Sequence, residues 1–323
     1  MPGPSGHLAV TPTAVGSDVL CHRLAVTTAL VSLLPITLGV LTTTYDAGMA
    51  FPDWPTSAGE NMFLYDVIAD VFAGARDKVL EHGHRLAGAL IGLTTLITAG
   101  VFTYRRGRRA ETYVVWAAVA AVIVQGLLGG FRVRLDERAV AMAHGLGGAF
   151  VFTALISLAA ITSRAWVRVA DAGSGRLSKS AVVWGYVLVA AVVAQYTLGG
   201  FVRHLGWGLW THMGSASAVF VAAIVVGVIA MRTRVPTLRR VGWMLHAVVT
   251  VQIALGFAAW WTKYAPAEGA VVDLTAPATV WSRSLHAVTG MALLATSVAY
   301  VLFVTRLKSS SGRPVGAVAG SSS

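Results

Sequence analysis

Apolar runs dominate this chain, and polar residues gather between the runs instead of alternating within them. Eight runs, at about 24–42, 80–103, 113–131, 139–162, 181–202, 209–231, 241–261 and 279–304, have about the 20 residues a helix needs to cross roughly 30 Å of hydrocarbon. Lipid offers no partner to a free backbone amide, so each run is expected to be a helix. The pattern predicts an all-α polytopic membrane protein with eight transmembrane helices.

The connections between runs are unequal. The first, about 43–79, is much the longest on its side and carries Asp46, Asp53, Asp66, Asp70 and Asp77. Connections of that length are usually functional. The stretch 164–180 is rich in Gly, Ser and Arg and reads as a linker between the fourth and fifth runs, while 309–323 reads as a flexible tail.

Composition agrees with lipid as the solvent. Of 323 residues, 56% are hydrophobic and 12% charged, too apolar for one water-soluble core to hide. A net charge of +11 would suit a nucleic-acid binder if it covered one face, but here it sorts by loop. Sixteen of the 25 Lys and Arg, including Arg105, Arg106, Arg108, Arg109, Arg176 and Arg313, share one side with only three acids, Asp18, Glu111 and Asp171. By the positive-inside rule that side is the cytoplasm and holds both termini. No nucleic-acid partner is expected. The first twenty residues show neither a cleavable leader pattern nor the bias of a transit peptide, which points to a bacterial plasma membrane. Cys21 is the single cysteine, so no disulfide can form within the chain.

A phrase recurs near the outer end of each odd run. Leu38-Gly39 ends the first, Gln125-Gly126-Leu127-Leu128-Gly129-Gly130-Phe131-Arg132 the third, Gln195-Tyr196-Thr197-Leu198-Gly199-Gly200-Phe201-Val202-Arg203 the fifth, and Gln252-Ile253-Ala254-Leu255-Gly256-Phe257 the seventh. Each time a histidine opens the next run: His84, His144, His212 and His286. Glycine permits close approach of a helix or a flat cofactor. The repeat predicts two tandem four-helix bundles related by pseudo-twofold symmetry, residues 1–163 and 181–308. His84 then matches His212 and His144 matches His286. Imidazoles at similar depth on facing helices suit the axial positions of two haems, with pockets near the outer face.

The two expected pockets differ. The second run opens Glu81-His82-Gly83-His84-Arg85, whereas the sixth opens Trp210-Thr211-His212-Met213-Gly214 with no flanking charge. Glu81 and His84 are three residues apart and can share a helix face. An acid that close to a membrane-embedded cofactor is a candidate functional group. Arg85 and Arg283, beside the proposed ligands, are candidates for pairing with haem propionates or for anchoring at the interface. His82 is an alternative ligand to His84, although only His84 keeps the repeat. His204, in a short outer connection, is a further candidate propionate contact. His246 lies at the wrong depth and reads as structural, and His7 and His22 carry no signal. The Phe51-Pro52-Asp53-Trp54-Pro55 knot, stiffened by proline, is expected to fold over the first pocket as a lid.

On these residues the chain resembles the haem A synthases, bacterial and mitochondrial membrane enzymes that convert haem O to haem A for cytochrome oxidases. The resemblance rests on Gly48-Met49 and Pro52-Asp53-Trp54-Pro55 after the first run, Glu81-x-x-His84-Arg85, the repeated Gln and Leu-Gly-Gly phrase, and His144, His212 and His286. It implies that His84 and His144 hold the substrate haem O, that His212 and His286 hold a haem b, and that Glu81 is the essential acid. It further implies oxidation of a ring methyl to a formyl group with oxygen from water, and as partners the haem O synthase and cytochrome oxidase assembly factors. Many bacterial members carry a cysteine pair in the first outer connection, where this chain has Ala50 and Ser57.

Two other classes fit part of the pattern. A di-haem b-type electron carrier explains four histidines equally well, but not why one pocket alone has an acid and a long connection. A transporter of parallel repeats fits the duplication, but calls for polar mid-membrane residues where the runs offer mainly Gln125, Gln195 and Gln252.

Overall fold

The computed structural model describes residues 18–105, 108–172, 179–264 and 272–310. Arg106, Arg176, Arg313, His7 and the tail from 311 onward lie outside the described residues. Among the described residues eight helices are long and apolar enough to cross a bilayer: Val19–Thr44, Arg76–Tyr104, Arg109–Leu135, Arg138–Ile161, Lys179–Leu205, Leu209–Met231, Pro236–Tyr264 and Pro277–Ser309. Among the described residues there is no strand, only one bridge between Ser57 and Glu60. The chain is a multi-pass, all-α membrane protein.

Helices outrun the apolar stretches because polar residues such as Arg76, Asp77 and Lys78 continue the winding beyond the hydrocarbon. The first span is broken at Ser32 into Val19–Val31 and Leu33–Thr44. Pro35 withholds an N–H from the ladder, and the Ser32 hydroxyl turns back to the Ala29 carbonyl at 2.7 Å. The fifth span is α-helical to Gly200 and then winds as a π turn over Phe201–Leu205.

Within the first four spans each helix packs on the next and the fourth closes on the first; spans five to eight repeat that cycle. The halves meet where the eighth span packs on the fourth and first, and where the fourth meets the fifth. The eighth span is the centre of the molecule: 61% of its most apolar stretch is buried, against 17–33% in the others. Outward faces stay apolar, with Leu93, Leu96 and Ile97 on the second span and Ile123, Val124 and Leu127 on the third exposed, as lipid contact requires.

The stretch after the fourth span starts as a helix, Arg164–Asp171, instead of an open linker. Ser163 caps it by accepting from Trp166 N at 3.2 Å. Val169 is fully buried, and Trp166 packs on Phe303 with ring centroids 5.9 Å apart.

Candidate functional site

The four repeated glycines and the four helix-opening histidines meet one to one. A methyl added to Gly39 would stand 2.7 Å from Cε1 of His84; the corresponding distances are 3.2 Å for Gly129 and His144, 3.2 Å for Gly199 and His212, and 2.8 Å for Gly256 and His286. Sequence reasoning took these glycines as room for the close approach of a helix or of a flat cofactor. The closest neighbour of each is the imidazole itself, whose Cε1 edge the glycine admits close to the odd helix.

The same contact orients the rings. His84 Nδ1 lies 2.9 Å from the Pro35 carbonyl and His286 Nδ1 lies 3.2 Å from the Gln252 carbonyl, each acceptor four residues before the cradling glycine. An Nδ1–H bound to a carbonyl leaves Nε2 as the free lone pair, the arrangement metal-ligating histidines use. His212 departs in detail: the Gln195 amide nitrogen stands 3.2 Å from its Nδ1 and donates to its carbonyl at 2.7 Å. His144 Nδ1 is buried and, among the described residues, makes no hydrogen bond of good geometry, although the Gln125 backbone, again four residues before the cradling glycine, interacts with it.

The rings then pair across each half. His84 and His144 have centroids 5.9 Å apart with planes at 87°, and His212 and His286 are 6.1 Å apart at 88°. With a metal–nitrogen bond of about 2 Å on either side, ring centroids near 6 Å apart are expected. All four imidazoles keep partial exposure although they sit between helices, as side chains lining a cleft do. Methyl groups added at Gly88 and Gly148, one turn beyond His84 and His144, would meet open space. Among the described residues no group of three or more His, Cys, Asp or Glu gathers. Two imidazoles per site are what a porphyrin iron needs, because the macrocycle fills the other positions. The donor set therefore fits haem and does not fit a bare metal ion.

Glu81 and Arg85 face the connection between the first and second spans. Glu81 is 3% exposed; Oε1 accepts from Arg85 Nη2 at 2.7 Å and Oε2 from Phe51 N at 3.2 Å. Arg85 donates from Nη1 to the carbonyls of Asp53 and Thr56 at 2.8 and 2.6 Å, and from Nη2 to that of Phe51 at 3.1 Å. The guanidinium is thus committed to the connection. Among the described residues Glu81 makes no hydrogen bond to either imidazole of the first pair.

That network secures the connection where the cysteine pair is missing. Ser57 is fully buried, with Oγ 3.1 Å from His82 Nδ1. Phe51, 1% exposed, meets Tyr65 edge-on at 5.1 Å. Trp54 lies on Gly130, where an added methyl would fall 2.5 Å from the indole. The knot therefore bridges the start of the second span and the end of the third, one residue along from the Gly129 that cradles His144. His82 belongs to this packing, and it is His84 that faces His144. Asp53 folds the turn by accepting from Ala58 N and Gly59 N at 3.0 and 2.8 Å.

Other residues fall as follows. Arg283 makes neither hydrogen bond nor ion pair among the described residues. His204 reaches Gly145 on the fourth span, next to His144. His246 is bonded to the Ile224 carbonyl at 3.1 Å and His22 to the Thr162 hydroxyl at 3.1 Å. Sequence reasoning passed over Arg132 and Arg203. Both end the Leu-Gly-Gly phrase, which was the available signal. Arg132 donates to the Gly48 carbonyl, and Arg203 Nη2 to Val40 O and Thr44 Oγ1, each at 2.8 Å.

Residues 22–214 match the model of the COX15-CtaA family, described as cytochrome oxidase assembly protein. The matched stretch includes His84, His144 and His212. No curated protein matches the chain.

Proposed function

Because the chain belongs to the COX15-CtaA family of cytochrome oxidase assembly proteins, we propose that it is a haem A synthase, oxidising a ring methyl of haem O to the formyl group of haem A. The observation that carries this reading is the unequal dressing of two equal histidine pairs. Both have centroids near 6 Å and perpendicular planes, but only the first has the Glu81–Arg85 network and the outer knot across it. Haem O as substrate belongs in the first pocket, between His84 and His144, and haem b in the second, between His212 and His286. Arg283 is a propionate candidate for the second pocket; Arg85 serves the first by holding the knot. The shared contact cycle supports a division into an N-terminal bundle 1–163, a cytoplasmic linker 164–180, a C-terminal bundle 181–308 and a tail 309–323, related by a pseudo-twofold axis.

The conversion removes four electrons and four protons from one methyl group and one water. The second haem, when bound, supplies a one-electron exit from the first pocket. The chain's own residues position and deprotonate. A carboxylate offers about four acceptor positions; Arg85 and Phe51 take one each on Glu81, so lone pairs remain to orient a water and receive its proton. The knot keeps bulk water from the site. The setting is the bacterial cell membrane, with both termini cytoplasmic, the pockets near the outer face, and the haem O synthase and oxidase assembly factors as partners.

Near-identical pair geometry is also what a di-haem electron carrier would have. Pigment extracted from the purified full chain separates the two. Haem O or haem A beside haem b, and haem A formed from added haem O with an electron acceptor, is the expected result. Two haems b in fixed stoichiometry, with no conversion, would replace the enzyme reading with the carrier.

A further inference from the structure

Arg203 owes its position to a turn that the first half lacks. The third span closes Leu128-Gly129-Gly130-Phe131-Arg132, and the fifth closes Leu198-Gly199-Gly200-Phe201-Val202-Arg203, one residue longer. The extra residue falls where Phe201–Leu205 winds as a π turn. A π turn takes up one inserted residue inside a helix and is frequent at functional sites. It keeps Arg203 at the outer end of its pocket, as Arg132 is at the other. Arg132 lies within electrostatic range of His84 and His144, and Arg203 of His286.

What Arg203 touches is neutral. Nη2 bonds Val40 O and Thr44 Oγ1, while Nη1 and Nε make no hydrogen bond among the described residues. No carboxylate among the described residues is within ion-pair distance of it. Arg283, three residues before His286, is likewise unpaired there and lies within electrostatic range of Arg203. Two half-buried guanidinium groups at one pocket mouth are costly to keep without an anion between them. Their planar forks match a carboxylate.

We propose that Arg203, with Arg283, binds a propionate carboxylate of the tetrapyrrole held by His212 and His286, in an anion site completed by the first half of the chain. The proposal rests on the haem-ligation reading above. Val40 follows Gly39, which cradles His84, so the guanidinium that grips the second haem is also steadied by the wall of the first pocket. Ser284 adds to the same seam by donating to Thr44 Oγ1 at 3.1 Å.

The test is a haem titration, read by Soret absorbance, of the full chain in nanodiscs with His84→Ala and His144→Ala in place so that only the second pocket fills. Haem b is compared with its dimethyl ester, which lacks the propionate charges. The unmodified Arg203 chain should bind the diacid about 10- to 100-fold more tightly than the ester. Arg203→Met should remove most of that preference by weakening the diacid alone, and Arg203→Lys should restore part of it. Equal binding of diacid and ester, or an equal loss of both in Arg203→Met, overturns the proposal. An effect of Arg203→Met that follows the anionic phospholipid content of the disc and ignores esterification puts a lipid phosphate at the site and also overturns it. Adding His212→Ala and His286→Ala should abolish haem uptake; uptake that persists removes the ligation reading instead, whatever Arg203 does.

Discussion

Glu81 Oε1 and Arg85 Nη2 stand 2.7 Å apart across one helical turn, with both side chains almost wholly enclosed. The pair joins the candidate acid to the outer knot, so its two members should fail differently. Glu81→Gln keeps an acceptor for Arg85, turns an NH2 toward the Phe51 amide in place of the second acceptor, and removes the base; it should retain both haems while haem A formation falls by about a hundredfold or more. Retention of both haems with a normal rate would remove Glu81 from the chemistry. Arg85→Met leaves a buried carboxylate unpaired and should cost about 3–5 kcal/mol of stability, seen as a lowered midpoint in thermal unfolding and early proteolysis between Phe51 and Ser57.

Thiol reagents should be silent. Cys21 is buried near the start of the first span, and Ser57 occupies the knot through hydrogen bonds. Maleimides, and disulfide reductants kept too dilute to consume the electron acceptor, should leave both haem content and haem A formation unchanged, and Cys21→Ala should behave as the parent chain. A reductant-dependent rate in the purified protein would mean that electrons leave by a thiol supplied from elsewhere.

How far the sequence could be read follows from which interactions leave a mark in it. The eight spans were legible because lipid tolerates only apolar outward faces, and Leu93, Leu96 and Ile97 are that face. The pairing of His84 with His144 was legible because four copies of one phrase make a pattern where one histidine makes none. The partners of Arg85 were not legible: they are backbone carbonyls of residues 51, 53 and 56, and no side-chain pattern announces a carbonyl. Arg203 was missed because its contacts at Val40 and Thr44 lie across the seam between halves, a relation that comparing the halves separately hides. The helix Arg164–Asp171 was masked by the Gly, Ser and Arg content of its surroundings, although Ser163 is a capping residue.

The outer knot should loosen at both ends of the pH scale, for separate reasons. Burial pushes the Asp53 carboxyl up, but the Thr56 hydroxyl and the Gly59 and Ala58 amides outweigh it and hold the group below its ordinary value of 3.8. A depressed carboxyl contributes stability that is present above the unfolded value and lost as pH falls through the folded one. Tyr65 is pushed up to about 12 by its hydrogen bond to Asp70, with burial second. Its contribution is complete below the phenol's unfolded value of about 10 and is lost as pH rises toward 12. Proteolysis of the connection, timed with acid-active and alkali-active proteases, should accelerate below about pH 4 and above about pH 10. Asp53→Asn should flatten the acid limb alone and Tyr65→Phe the alkaline limb alone; a variant that flattens both would refute the assignment.

Adjacent glycines in the repeated phrase face different neighbours, so the same added methyl should give different losses. Gly129 lies against His144 and Gly130 against the Trp54 indole; Gly199 lies against His212 and Gly200 against Met142 and Leu146 of the fourth span. Each insertion overpacks its contact at a cost of about 1–3 kcal/mol, but the contact it disturbs decides the readout. Gly129→Ala should lower occupancy of the first haem and Gly199→Ala that of the second, each leaving the other spectrum intact. Gly130→Ala should keep both haems and unseat the knot, with faster cleavage near Trp54 and a slower conversion of haem O. Gly200→Ala should keep both haems and lower thermal stability, because its methyl presses on the seam between the halves. Pigment analysis of the four variants checks the haem occupancies, with proteolysis and thermal unfolding for Gly130→Ala and Gly200→Ala, and loss of the same haem from Gly129→Ala and Gly199→Ala would show that the two pairs do not form separate pockets.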